Sequence, residues 1–199
     1  IEGNLLFYSE TGEIVGKVPY RNGKKNGIAM FKGDQEIPAY SEEYKNDLLI
    51  DATYHDFSGK IIKKIEKGTG EKPEFKKGKL QILQEYKKGV PEGKVSRFNS
   101  KGNVESIFHV KDGLKHGKEW VYYSDETELK PKLYIEWYED IIHGIARSWF
   151  RNGALESERE LVDNKKHGVS SAWYKDGSLM FIEEYENENL KKGNYMGRG

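Results

Sequence analysis

Short runs in which every second residue is polar follow one another along the whole chain. In the segment 154–162, ALESERELV, three glutamates alternate with Leu155, Ser157, Arg159 and Leu161. The segment 104–110 places four residues on one face in the same way: Val104, Ser106, Phe108 and Val110. A period of two is typical of a β-strand, and no helical period is sustained anywhere. The pattern therefore predicts an all-β protein made of short strands.

The strands are separated by turn signals. Asn152-Gly153 lies between the runs IARSWF (145–150) and ALESERELV (154–162). A two-residue hairpin turn needs positive φ angles, which Asn and Gly tolerate better than other residues. We therefore predict a β-hairpin with a two-residue turn at Asn152-Gly153.

Glycines recur along the chain at offsets of 0, 9, 20 and 24 residues. Two sets carry all four offsets: Gly3, Gly12, Gly23 and Gly27, and Gly93, Gly102, Gly113 and Gly117. A third set keeps offsets 0, 9 and 24: Gly144, Gly153 and Gly168. The step from Gly117 to Gly144 is longer by three residues, which we place in the segment 124–132. A fixed period of this length is a strong signal of a repeat protein.

About eight units of ~24 residues fit the chain, each with two strands. They predict an elongated single-layer meander of antiparallel β-hairpins, in which a unit contacts only its neighbours. We expect one repeat domain over 1–199. Residues 1–27 form a regular repeat, 28–92 form degenerate repeats that have lost most glycines, and 93–199 form regular repeats.

Three segments carry a family resemblance: YYSDETELKPKLYIEWYEDIIHG (122–144), WFRNGALESERELVDNKKHG (149–168) and WYKDGSLMFIEEYENENLKKG (173–193). Each has an aromatic residue before an inner turn, a strand, a second turn and a closing glycine or its equivalent. They resemble the MORN-repeat variant of bacterial proteins. The resemblance is clear over 93–193, good over 3–27, and confined to short spots such as YKKG (86–89) within 28–92.

The resemblance carries functional implications that periodicity does not supply. Proteins similar to this one are often described as antitoxin-like or are exported from bacteria. MORN repeats are generally associated with contacts to proteins or to membrane lipids. The chain begins with Ile1, which points to a removed leader or a trimmed terminus. These implications favour an exported or cell-envelope location over the cytoplasm.

Composition narrows the functional classes. Lys plus Arg and Asp plus Glu number 33 each, so the net charge is zero. A general nucleic-acid binder should be clearly basic, and we expect no nucleic-acid partner. The chain has no cysteine, which excludes disulfides and thiolate metal sites. No apolar run approaches the roughly 18 residues of a membrane-spanning helix.

Three of the five histidines immediately precede a closing glycine: His116, His143 and His167. Equivalent positions two strands apart lie about 10 Å from each other, whereas zinc ligands bond the ion at ~2.0–2.1 Å. Asn26 and Glu92 occupy the same position in other units. We therefore interpret these histidines as turn residues and expect no metal site.

Paired aromatic residues near the start of the regular units suggest a binding face. Alternation assigns the two members of each pair to opposite faces of the sheet. We expect Trp149 and Trp173 in the core, which leaves Tyr123, Phe150 and Tyr174 as an exposed column that binds a partner.

The segment 63–79, KKIEKGTGEKPEFKKGK, is the most basic stretch, with seven lysines and three glutamates. Lysines on sheet edges block unwanted strand pairing, which is the simpler interpretation. The alternative is contact with anionic membrane lipid.

No nucleophile elbow, zinc-protease motif or Walker motif occurs, so we expect no enzyme activity and no cofactor. We conclude that the chain is a non-enzymatic repeat scaffold for protein–protein interaction. Two alternatives remain open: a membrane-surface module that contacts anionic lipid, and an exported envelope or secreted structural protein.

Overall fold

The computed structural model describes residues 2–125 and 128–197. Within this part of the chain every regular element is a β-strand, and there are 19 of them. No helix among the described residues has the length and hydropathy needed to cross a membrane. Of the segment 124–132, in which we placed the three extra residues, residues 126 and 127 lie outside the described residues.

The chain divides into two units, residues Ile1–Val95 and Ser96–Gly199. The strands that begin in unit 1 are β1 (Gly3–Tyr8), β2 (Ile14–Arg21), β3 (Lys24–Lys25), β4 (Gly27–Phe31), β5 (Tyr40–Lys45), β6 (Leu48–His55), β7 (Ile61–Glu66), β8 (Thr69–Lys76), β9 (Lys79–Lys87) and β10 (Val90–Phe98).

The strands that begin in unit 2 are β11 (Val104–Lys111), β12 (Leu114–Lys115), β13 (Gly117–Tyr122), β14 (Pro131–Tyr138), β15 (Ile141–Trp149), β16 (Leu155–Val162), β17 (Lys165–Trp173), β18 (Leu179–Glu186) and β19 (Asn189–Tyr195). Strands β3 and β12 have only two residues, because an irregularity at Asn26 or His116 separates each from the next strand.

Within each unit, consecutive strands pair antiparallel. Unit 1 shows this in β1–β2, β4–β5, β5–β6 and β8–β9. Unit 2 shows it without interruption from β13 to β19. The prediction of an all-β meander of antiparallel hairpins is therefore confirmed.

The hairpins use two kinds of turn. At one end of the strands lie tight turns in which two successive residues have positive φ, such as Asp163 (52°) and Asn164 (66°). This is the conformation that a two-residue hairpin turn needs, because its twist matches that of the strands.

The turn at Asn152-Gly153 is of the other kind. Only Gly153 has a positive φ, of 87°. The Gly153 N–H donates to the Phe150 carbonyl at 2.9 Å, and the Phe150 N–H donates to the Ala154 carbonyl at 2.9 Å. The predicted hairpin is present, but its turn is longer than two residues. Asn152 does not take a positive φ; its side-chain oxygen accepts the Ala154 N–H at 3.1 Å and so caps the turn.

Tight turns of successive repeats are joined by paired hydrogen bonds. The Lys115 N–H donates to the Asp140 carboxylate at 2.7 Å, and the Asp140 N–H donates back to the Lys115 carbonyl at 3.0 Å. Ile142 and Asn164 form the same reciprocal pair at 2.8 and 2.9 Å. These bonds satisfy backbone groups at the ends of the strands. The short polar residue of each turn, Asp140 or Asn164, is the side chain that accepts one of them.

The main buried apolar cluster lies in unit 1. Its members come from four consecutive strands of the degenerate repeats: Ala29, Tyr44, Leu49, Ala52, Tyr54 and Ile65. Val18, Tyr40 and Tyr86 pack against them. The degenerate repeats, which lack most of the regular glycines, therefore contain the main buried core.

Unit 1 also joins repeats that are not adjacent in sequence. The Leu49 N–H donates to the Gly89 carbonyl, the Gly89 N–H to the Gly68 carbonyl, and the Gly68 N–H to the Ile50 carbonyl. Three hairpin turns thus bond to one another. The prediction that each repeat contacts only its neighbours is wrong in this unit, because the sheet curves enough to bring the second and fourth repeats together.

Candidate functional site

The phased His-Gly pairs lie in β-bulges. Trp137 pairs with Ile142 and Ile135 pairs with Ala146, so Glu136 alone faces the three residues 143–145. Glu160 faces residues 167–169 in the same manner. The glycines take the positive φ, 120° at Gly144 and 83° at Gly168. The interpretation of the histidines as turn residues is therefore wrong, since His143 and His167 lie within strands and keep a negative φ.

A glutamate carboxylate closes each of three bulges. Its Oε2 accepts the N–H of the residue after the glycine, in the pairs Glu85 with Lys94 (2.9 Å), Glu136 with Ile145 (2.9 Å) and Glu160 with Val169 (3.4 Å). A Cβ on the intervening glycine would occupy the place of that carboxylate. The closing glycines are thus required by the carboxylate as well as by the backbone angle.

Glu136 is held as a carboxylate. Burial raises its pKa, but hydrogen bonds from the Tyr134 hydroxyl at 2.6 Å and from the Ile145 N–H, helped by Lys118 and Arg147, lower it by more. The net pKa lies below the usual glutamate range. The bulge therefore keeps its charged cap at neutral pH.

The histidine side chains have separate partners. His143 Nδ1 lies 3.2 Å from the Asp163 carboxylate. The His116 ring lies 5.2 Å from the ring of Tyr138, whose other neighbour is His143 at 6.5 Å. In residues 2–125 and 128–197, no group of three His, Cys, Asp or Glu side chains could hold a metal ion.

Replacing His116, His143 and His167 together by Asn should leave the metal content of the purified protein unchanged. It should change the free energy of unfolding by less than about 1 kcal/mol, since His143 and His167 are exposed and His116 is only half-buried. Elemental analysis after incubation with zinc or nickel tests the first point, and urea unfolding the second. Stoichiometric zinc in the parent protein that is lost in the variant would contradict the prediction.

The three aromatic residues proposed to bind a partner begin the loops after their strands. Tyr123, Phe150 and Tyr174 each follow the last residue of β13, β15 or β17. All three are half-buried, and so are Trp149 and Trp173. The expected division into a core tryptophan and an exposed neighbour is therefore not sharp, because alternation no longer governs a residue beyond the strand end.

Two of these rings line a hollow of about 340 Å³ in unit 2. Its walls are Tyr123, Phe150, Arg151, Asn152 and Lys175, and we call it the aromatic–basic hollow. The Arg151 guanidinium lies 4.7 Å from the centre of the Tyr123 ring, and the Lys175 ammonium lies 5.9 Å from that of Phe150. Tyr174 is not part of the lining.

Hydrogen bonds between successive repeats hold this hollow in shape. The Tyr123 hydroxyl donates to the Trp149 carbonyl at 2.7 Å, and the Asn152 side chain donates to the Lys175 carbonyl at 3.0 Å. Arg151 binds both carboxylate oxygens of Asp125, at 3.0 and 2.8 Å, and this bond lowers the pKa of Asp125. The repeat period places equivalent loops side by side, so residues 23 to 26 positions apart form one wall.

Unit 1 contains a buried polar network that the sequence pattern did not predict. The Glu42 carboxylate is only 4% exposed. It accepts hydrogen bonds from the Tyr44 hydroxyl at 2.8 Å, the Tyr54 hydroxyl at 2.8 Å and the Lys72 ammonium at 2.7 Å. We call these four residues the Glu42 network. Its signal in the sequence was a glutamate between two tyrosines, Tyr40 and Tyr44, on one face of a strand.

The network keeps Glu42 ionised. Burial raises the pKa of Glu42, but the charge of Lys72 and the hydrogen bonds of Lys72, Tyr54 and Tyr44 lower it by more. The same burial and the charge of Glu42 raise the pKa of both tyrosines. The tyrosines therefore act as neutral donors, and the network contains one carboxylate and one ammonium.

The lysine-rich segment 63–79 is partly neutralised. Lys63 pairs with Glu71, Lys72 with Glu42 at 2.7 Å, and Lys64 with Glu66 at 4.0 Å. At least three of the seven lysines thus have a carboxylate partner. This arrangement reduces the basic surface on which the lipid-contact alternative depends.

Two segments of the chain resemble a known repeat family. The sequence model of the MORN repeat variant family matches residues 1–22 and 166–187. No curated protein matches the chain. The two matched segments cover β1–β2 and most of β17–β18. Both lie in the parts predicted as regular repeats, and the match supports the assignment of these hairpins to the MORN-repeat variant.

Proposed function

We propose that this protein is a non-enzymatic repeat scaffold that binds another protein through the aromatic–basic hollow of unit 2. The observation that carries the proposal is the lining itself, two aromatic rings and two cations supplied by successive repeats. MORN repeats are generally modules for binding proteins or membranes, and the matched segments agree with that general role.

The chemistry of the hollow suits a protein partner. Tyrosine, tryptophan and arginine are the residues that most often dominate binding energy at protein interfaces. Arg151 and Lys132 both approach the Tyr123 ring, at 4.7 and 5.8 Å. A partner that offers an apolar side chain beside a carboxylate would contact the rings and the Lys175 ammonium together, so we propose a partner with an acidic segment.

Replacing Tyr123, Phe150 and Tyr174 by Ser tests the proposal. Proteins captured from the native cell by the parent chain should be compared with those captured by the variant, and the candidate partner then purified. Isothermal titration should show binding weakened by about 30-fold, since losing hot-spot aromatics costs about 2 kcal/mol or more. The variant should keep its cooperative thermal unfolding.

A matched control replaces three exposed tyrosines outside the hollow, Tyr8, Tyr138 and Tyr195, by Ser. This variant should bind the purified partner as the parent does. Equal binding by both triple variants would refute the assignment of the site. Unfolding of the first variant, together with stable Trp149→Ser and Trp173→Ser variants, would show that the core and contact roles are reversed.

The lipid-contact alternative has its own measurement. Sedimentation with vesicles containing phosphatidylserine should leave the parent protein in the supernatant, because the segment 63–79 carries three ion pairs. Binding that disappears when the unpaired Lys67, Lys76 and Lys77 are replaced by Gln would favour a membrane-surface module over the protein-binding proposal.

A further inference from the structure

We propose that unit 1 carries a second binding site, which takes a neutral, ring-sized group bearing a hydroxyl or carbonyl oxygen, such as a phenol. The site is a hollow beside the Glu42 network, and we call it the Tyr40 hollow. It lies within unit 1 and is independent of the proposed function of the aromatic–basic hollow.

The size of the Tyr40 hollow sets the size of the ligand. Its volume is about 180 Å³, and its walls include aromatic and proline rings: Pro38, Tyr40, Tyr54, Pro73 and Phe75. An apolar cavity of about 150 Å³ is large enough to bind benzene. The hollow therefore accommodates one six-membered ring with a small substituent, held between aromatic and proline surfaces.

The charged groups on the lining disfavour ionic ligands. Glu42 and Glu74 would repel an anion. Glu74 is exposed, so water and salt screen its attraction for a cation. Glu42 is not free to pair with a new cation, because three donors already occupy its oxygens. A neutral ligand avoids the repulsion that an anion would meet, and it does not need the counterion that a cation would lack.

Two donors remain for an oxygen on that ligand. Tyr40 is a lining residue of the hollow, and its hydroxyl forms no hydrogen bond with a described residue; burial is the main cause of its raised pKa. The Lys72 ammonium has three N–H groups and uses one of them on Glu42 at 2.7 Å. A hydroxyl or carbonyl oxygen in the hollow can accept from either donor.

The loop that forms one wall is held in place before any ligand binds. The Asp34 carboxylate accepts the N–H groups of Glu36 and Ile37, each at 2.7 Å. The Glu36 carbonyl accepts the Gly78 N–H at 3.0 Å, and the Ala39 carbonyl accepts the His55 N–H at 3.1 Å. The wall needs no ordering on binding, which favours a usable affinity for a small ligand.

Titration of the ¹⁵N-labelled chain with p-cresol, followed by amide chemical shifts, tests the site. We expect saturable shifts centred on residues 37–40, 54–55 and 72–75. Tyr40→Phe removes the hydroxyl but keeps the ring, and should weaken p-cresol binding about fivefold through loss of one hydrogen bond. The control Tyr8→Phe alters an exposed ring elsewhere in unit 1 and should bind as the parent does.

Further probes distinguish a partner's side chain from a free small molecule as the ligand, and they can overturn the proposal. N-acetyl-tyrosine amide with the affinity of p-cresol identifies the natural ligand as a tyrosine side chain of a partner, and p-cresol binding alone identifies a free small molecule. Absence of saturable shifts, or shifts centred elsewhere, would refute the site, and equal binding by Tyr40→Phe would refute the Tyr40 hydroxyl as the donor. Tighter binding of benzoate or tetramethylammonium at the same residues would refute the inference of a neutral ligand.

Discussion

Replacing Glu42 by Ala should lower the free energy of unfolding by about 3–5 kcal/mol, the usual cost of removing one partner of a buried ion pair. The substitution leaves the Lys72 ammonium without its counterion and the Tyr44 and Tyr54 hydroxyls without their acceptor. Tyr44 and Tyr54 belong to the main buried cluster, so the loss falls on the core of unit 1. Urea unfolding followed by tyrosine and tryptophan fluorescence measures the change.

The neighbouring residue gives a matched control. Glu43 lies on the same strand but is exposed, and Glu43→Ala should change stability by less than about 0.5 kcal/mol. Removing both charges, in Glu42→Leu with Lys72→Met, should recover much of the loss, because apolar residues of similar volume often replace a buried ion pair well. Equal effects of Glu42→Ala and Glu43→Ala would show that the network does not stabilise the fold.

The Glu42 carboxylate also makes the free energy of unfolding depend on pH. The pKa of Glu42 is lower in the folded chain than in the unfolded chain, where it is about 4.3. Its contribution is therefore fully present above the unfolded pKa and is lost as the pH falls through the folded pKa. Between pH 7 and pH 3 the parent should lose more stability than the Glu42→Leu, Lys72→Met variant.

Replacing Gly144 by Ala should lower the free energy of unfolding by about 3 kcal/mol. The positive φ of 120° strains any residue with a Cβ, which costs roughly 1–2 kcal/mol. The new Cβ also displaces the Glu136 carboxylate, which leaves the Ile145 N–H without its acceptor at a cost of about 1–3 kcal/mol. Thermal and urea unfolding measure the sum.

Gly117 separates the two effects. It holds the equivalent bulge position with φ of 87°, but no atom lies within 4 Å of the place its Cβ would take. Gly117→Ala should therefore cost only the backbone strain, about 1–2 kcal/mol. Adding Glu136→Ala should reduce the further cost of Gly144→Ala to that value. If Gly117→Ala and Gly144→Ala are equally destabilising, the Glu136 carboxylate is not a reason why residue 144 must be glycine.

Local chemistry was enough to determine the repeat and its hairpins. Residues alternate over Val104–Lys111 because one face of a sheet is more covered than the other, and that alternation needs no knowledge of distant residues. Glycines such as Gly153 mark a positive φ that few other residues adopt. The period also brought Tyr123 and Phe150 together, since equivalent loops of successive repeats lie side by side.

The sequence by itself thus determined the all-β fold class, the repeat period and which regular repeats are adjacent. Each of these features depends on residues close along the chain. Only the tertiary structure decided the partner of each polar group. A bulge that sets one glutamate against three residues, or a curved sheet that brings Lys72 to Glu42, depends on the register and curvature of paired strands. The sequence showed the His-Gly pairs as a periodic feature, but their role in bulges depends on register and became visible only in three dimensions. The Glu42 network and the two hollows leave no periodic trace at all.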